Sequence, residues 1–263
     1  MAKKSNKPEQ WMSGALLASG GIDSVVLLYF LKALGRLDHV LFVDYGQANA
    51  ANQLDALTYH TERLGLVEPV TIDCPIPDEY KGDAFQGRKR MFKNGGFKPD
   101  KVWDCRDWKF GGGEASEFPQ NHPYWKKAAI DFVPLRNMRW WVEVFCWASH
   151  HACPNVYWGP QYEKSRWDWG DPFEVEKLDN GVVFTDLLNQ LAPLSWLPKP
   201  VKVFAPWLDI KADKSHIVNL GIALGVDMTK TYTCEGYPPC ERCRQCNNRR
   251  LAIERQKALT EHR

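Results

Sequence analysis

No stretch of the chain reaches the roughly eighteen consecutive apolar residues that a membrane-crossing helix needs. The first ten residues, Met1 to Gln10, are polar and rich in lysine, without the apolar core of a secretory signal. A soluble, cytoplasmic protein is therefore expected. Charge of one sign is also lacking: 34 basic residues face 32 acidic ones, a net charge of +2. That balance gives no general attraction to nucleic acid or an anionic membrane, so neither is an expected partner. Neither the Gly-x-Gly-x-x-Gly dinucleotide fingerprint nor the Gly-Lys-Ser/Thr end of an ordinary P-loop occurs. Low-complexity tracts and internal repeats are missing too. Tryptophan, by contrast, is abundant at 12 residues, most of them between Trp103 and Trp169, where they suggest a pocket wall or an interface.

The chain is organised around Ser19-Gly20-Gly21-Ile22-Asp23-Ser24. A short apolar run, Ala15 to Ala18, precedes it and reads as a buried strand; Val25 to Leu31 follows and reads as a buried helix. Adjacent glycines let the backbone turn tightly and approach a ligand closely. The helix after them begins with unpaired N–H groups at the positive end of its dipole. With the hydroxyls of Ser19 and Ser24, this is a loop suited to phosphate oxygens. Asp23 is then a helix cap or a magnesium ligand, since a bare carboxylate repels phosphate. A plain Ser-Gly-Gly turn capping a core helix is the alternative.

Further along, Val40 to Val43 reads as a second strand ending in Asp44-Tyr45-Gly46-Gln47. Strand, glycine loop, helix and strand make a βαβ unit with parallel strands and a right-handed crossover. In such sheets ligands lie beyond the carboxyl ends of the strands, which puts residues 19–24 and 44–47 on one rim. A helix over Asn49–Leu64, closed by Gly65, precedes a brief third strand at 70–72. From Pro75 to Asp131 periodicity is lost, and a partly ordered lid is expected there. Met138–His150 is the next helix, Val156–Gly159 a strand, and 161–173 a polar loop on the same rim. A helix at Phe184–Leu191, a last strand at Val201–Phe204 and a helix at Lys214–Leu224, capped by Asp213, complete the domain.

Cys234, Cys240, Cys243 and Cys246 lie within thirteen residues, at spacings of five, two and two. Two overlapping Cys-x-x-Cys turns with a fourth thiolate from the preceding loop suit tetrahedral zinc, a closed and structural site. An iron–sulfur cluster is the competing assignment. Arg242, Arg244, Arg249 and Arg250 are placed to offset the thiolate charge. The dispersed Cys74, Cys105, Cys146 and Cys153 read as ordinary buried thiols.

The loop at 19–24 resembles the pyrophosphate loop of N-type ATP pyrophosphatases, which cleave ATP between the α and β phosphates to adenylate an oxygen. Taken with Val43-Asp-Tyr-Gly-Gln47, Val133-Pro-Leu-Arg-Asn137, Ala205-Pro206, Lys214-Ser-His-Ile-Val218 and Thr233-Cys234, the chain is similar to the QueC family of 7-cyano-7-deazaguanine synthases. That resemblance implies an open parallel sheet with helices on both faces, Rossmann-like, over residues 1–228, with an insertion at about 75–131. A zinc-binding segment over 229–263 would pack on it. It implies ATP as co-substrate with magnesium, structural zinc on the four cysteines, and a homodimer. The small-molecule partners would be 7-carboxy-7-deazaguanine and ammonia: the acid is adenylated, ammonia gives the amide, and a second adenylation leaves the nitrile. Ser19, Gly20, Gly21 and Ser24, with Asp44 and Gln47, are assigned to ATP; Asp23, Arg136 and Lys214 to catalysis; Asn137, Ser165 and Asp168 to the substrate.

Two positions depart from the family pattern. Leu135 stands where the family has glycine, and Arg166-Trp167 replaces Gly-Tyr in the substrate loop. These changes keep open a paralogue, of the kind found in phage and defence systems, that stops at the amide or joins the acid to another amine, on a protein partner for instance. A zinc-stabilised nucleotide-binding module without turnover is the third reading.

Overall fold

The computed structural model describes residues 12–47, 49–76, 136–162, 181–195, 200–234 and 244–261. The expected lid, the loop carrying Ser165 and Asp168, and Cys240 and Cys243 lie outside the described residues.

Among the described residues five strands form one sheet: β1 (Gly14–Leu17), β2 (Leu37–Asp44), β3 (Val70–Asp73), β4 (Asn155–Trp158) and β5 (Lys202–Phe204). Every pairing is parallel, and the order across the sheet is β3-β2-β1-β4-β5. The order reverses between β1 and β4, so their carboxyl ends diverge into a crevice.

Apolar side chains alternate between two cores, as the period of two in a strand requires. Leu16, Phe42, Tyr157 and Phe204 face one core; Ala15, Leu41, Val156 and Val203 face the other. The first core is covered by helices α1 (Ile22–Ala33) and α2 (Ala50–Arg63). The second is covered by α3 (Arg136–His150) and α4 (Val182–Leu191), through Trp141, Val144, Phe145, Phe184 and Leu188. The short α5 (Pro206–Asp209) puts Trp207 in the first core and Leu208 in the second. Helices α6 (Lys214–Ala223) and α7 (Arg244–Glu261) complete the first face. The expected sheet with helices on both faces is thus observed.

Several details differ from the sequence reading. Strand β2 extends back to Leu37, because Gly14 pairs with it through a register shift in β1. Helix α3 starts at Arg136, so Arg136 and Asn137 sit in its first turn rather than in a preceding loop. Helix α7 has no counterpart in the expectations, since its sequence is polar. It is held by Ala252, 2% exposed in the first core, and by Gln256, whose amide accepts from Met228 N at 3.1 Å and donates to Val226 O at 2.6 Å. Cys74 and Cys153 are buried as expected, and burial pushes both thiols up, whereas Cys146 is exposed on the outer side of α3. Among the described residues no helix is long and apolar enough to cross a membrane.

Candidate active site

Strand β1 delivers the chain to the rim at Ala18, whose N–H donates to Leu41 O at 2.9 Å. The chain then turns through Gly20, at φ +70°, a left-handed conformation that glycine adopts without steric cost. A Cβ here would also lie 2.2 Å from Gln53 O of α2, so the loop is pressed against that helix too closely for any side chain. Ser24 folds back over the turn: its hydroxyl donates to Gly21 O at 3.0 Å and accepts from Ser19 N at 3.2 Å. Gly21, the N-cap residue of α1, has no side chain to bond the first-turn amides, which face the rim.

Asp23 does not cap the helix. Its two carboxylate oxygens each receive Lys214 Nζ at 2.5 Å. Lys214 opens α6, which Asp213 caps by accepting from His216 N at 2.9 Å. Bonding from the His216 backbone holds the Asp213 carboxyl below the usual range. Trp207 Nε1 donates to Asp23 O at 3.0 Å and fixes the backbone under the pair. Lys214 is 24% exposed, so it is not a solvated first-turn residue; it reaches across the crevice to the glycine loop.

The second strand's rim supplies Asp44 and Gln47. Asp44 Oδ1 accepts from Gly46 N at 2.8 Å, which shapes the turn. Gln47 is buried, and its amide donates to Val43 O and Gln53 Oε1 while accepting from Tyr45 N. Its donors are engaged within the protein, which gives it the task of bracing the turn against α2. Because β3, α3 and β4 run as a parallel crossover, the first turn of α3 lies at the same rim. Tyr45 stacks on Trp140 there, with ring centroids 4.6 Å apart. Asn137 is buried in that turn, and Arg136 begins it. Gly159, just past β4, lies within 3.4 Å of Asp23 O by its would-be Cβ, so the two middle strands close on the loop.

Of the four cysteines, Cys234 is buried beside the glycine loop and Cys246 sits in the first turn of α7. Thr233 Oγ1 donates to Gln245 O at 3.0 Å, so the residues just before these two cysteines touch. Cysteine thiols are the soft donor type that zinc takes. Among the described residues no group of three or more metal-ligating side chains is assembled. Arg249 donates to Thr229 O, and Arg250 pairs with Glu254 at 2.7 Å along α7.

A parallel sheet whose order reverses above a glycine loop, with a lysine and an aspartate joined across it, defines a Rossmann-like α/β protein with its candidate site at the switch point. The family model described as "Queuosine biosynthesis protein QueC" matches residues 113–257, more than half of the 263-residue chain. The chain belongs to the QueC family. It is 25% identical over 246 residues to a 7-cyano-7-deazaguanine synthase of Sulfurihydrogenibium sp. (strain YO3AOP1), covering 90% of this chain and 92% of that one. It is 24% identical over 248 residues to the 7-cyano-7-deazaguanine synthase of Persephonella marina, covering 92% of each. A third, from Methanocaldococcus jannaschii, is 24% identical over 252 residues, covering 92% of this chain and 94% of that one.

Proposed function

We propose that the chain is an AMP-forming, ATP-dependent carbon–nitrogen ligase of the QueC type, acting on 7-carboxy-7-deazaguanine. The observation that carries this reading is the Lys214–Asp23 pair lying across the glycine loop in a member of that family. The β and γ phosphates of ATP settle on the 19–24 loop and the first-turn amides of α1. Lys214 turns from Asp23 to the departing pyrophosphate, where a fixed cation stabilises the charge that develops. The substrate carboxylate, held near Arg136 and Asn137, attacks the α phosphorus; the bond to the bridging oxygen breaks and pyrophosphate leaves. Ammonia then displaces AMP to give the amide. A second ATP adenylates the amide oxygen, and loss of AMP with two protons leaves the nitrile. The protein's share is positioning and charge neutralisation.

Asp23 holds Lys214 on both carboxylate oxygens, and magnesium would enter on the nucleotide's own phosphates, its usual mode. Zinc held by Cys234, Cys240, Cys243 and Cys246 would supply rigidity and no reaction chemistry. A homodimer, as the family resemblance implies, is the assembly we assign.

Incubation with magnesium, ATP, 7-carboxy-7-deazaguanine and ammonium, with products weighed by mass spectrometry, tests this. Nitrile, AMP and pyrophosphate are expected; ADP alone, or no nucleotide cleavage, overturns it. Leu135 and Arg166-Trp167, which depart from the family pattern, favour one second reading, a paralogue that stops at the amide or conjugates another amine. Amide or a heavier adduct as the end product would select it.

A further inference from the structure

We propose that Asn49 is a positioning residue that clasps residues 232–234 to α2 and so sets how firmly the phosphate loop is held. The proposal draws on the reading above only in naming ATP as the loop's ligand. Asn49 occupies the N-cap position of α2, where an asparagine ordinarily accepts from a first-turn N–H. It makes no such bond. Its Nδ2 donates instead to Cys234 O at 2.5 Å, across 185 positions of sequence, and the residue is 3% exposed.

Three successive residues of this segment each make a different link. Tyr232 N donates to Gly20 O at 2.9 Å, which ties the segment to the phosphate loop. Thr233 Oγ1 donates to Gln245 O at 3.0 Å, which ties it to the first turn of α7 beside Cys246. Cys234 O takes the Asn49 amide, which ties it to α2. Helix α2 in turn bears on Gly20 through Gln53 O and the Ala56 methyl. Gly20 is therefore held from two directions, by α2 and by residue 232, and Asn49 is the clasp between them. Replacing Asn49 with leucine keeps the branched shape and removes the donor to the Cys234 carbonyl.

Amide hydrogen exchange across residues 18–24 reads the coupling without nucleotide turnover. Wild type, Asn49→Leu and Thr233→Val are compared. Exchange at 18–24 should rise about tenfold in Asn49→Leu, with β3 and β5 unchanged. Thr233→Val, which cuts the neighbouring link, carries the test should Asn49→Leu not fold. Unchanged exchange at 18–24, or an equal rise in every strand, would overturn the coupling. Titration with magnesium and α,β-methylene-ATP runs in parallel, with several-fold weaker binding expected in Asn49→Leu. A wild type that binds no nucleotide would end the AMP-forming reading while leaving the exchange result to decide the coupling.

Discussion

Lys214 and Asp23, 191 positions apart in sequence, meet with the ammonium 2.5 Å from each carboxylate oxygen. The pair joins the first turns of α1 and α6, which pack on the same face of the sheet. Removing the cation should therefore affect chemistry far more than folding. Lys214→Met is expected to lower AMP formation by about 10²–10³-fold, the usual effect of losing one charge-stabilising donor. Both groups are about a quarter exposed, so stability should fall by no more than about 1 kcal/mol. AMP release and urea unfolding on the same preparation check both numbers.

Gly20 and Gly35 both have positive φ, +70° and +63°, but their surroundings differ. A Cβ at Gly20 meets Gln53 O at 2.2 Å, whereas nothing lies within 4 Å at Gly35. Gly35→Ala should cost about 1–2 kcal/mol, the strain of a left-handed residue alone. Gly20→Ala should cost clearly more, about 3 kcal/mol or above, because backbone must shift as well. Equal costs in denaturant melts would mean that α2 yields to the loop.

His60 is fully buried between Tyr29 and Tyr59, with Nδ1 3.1 Å from the Tyr29 hydroxyl and Nε2 without a hydrogen-bond partner among the described residues. Burial lowers its pKa from 6.5 to about 4, opposed by Asp227 and assisted by Arg63. Above pH 6.5 the ring is neutral in both folded and unfolded chains. As pH falls from 6.5 toward about 4, the unfolded chain binds a proton that the folded chain refuses, and stability is lost. The loss should approach about 3 kcal/mol, and below the folded pKa it should grow no further. His60→Leu should flatten this part of the profile, measured by urea midpoints at pH 7 and pH 5.

Cys246→Ser should lower bound zinc and reduce the melting temperature by about 5 °C or more, since metal binding and folding are coupled. Cys146→Ser, at an exposed position of α3, serves as control and should change neither. Atomic absorption and thermal melts measure the contrast; a Cys246→Ser protein with full metal and an unmoved midpoint would remove Cys246 from the site.

The β1–loop–α1–β2 unit was legible because two signals agree there: short apolar strands alternate between two cores, and paired glycines break the pattern between them. The cap of α6 was legible too, since Asp213 bonds its own third neighbour. What escaped were links made at long range. Asn49 reads locally as a cap, and only the fold shows its amide turned to Cys234. Gln47 reads as a ligand contact, yet the turn consumes its donors. Helix α7 lacks an apolar stripe, since Gln256 and Arg249 hold it through backbone oxygens of residues 226 and 229. Such bonding leaves no periodicity to detect.

Helix α7 also imposes an order on synthesis. The glycine loop emerges from the ribosome early, but the core beneath its helix is closed by Ala252, and the 226–228 turn is braced by Gln256. Domains mature as units, so a nascent chain released or stalled before α7 would carry every residue of the loop and still lack the packing that supports it.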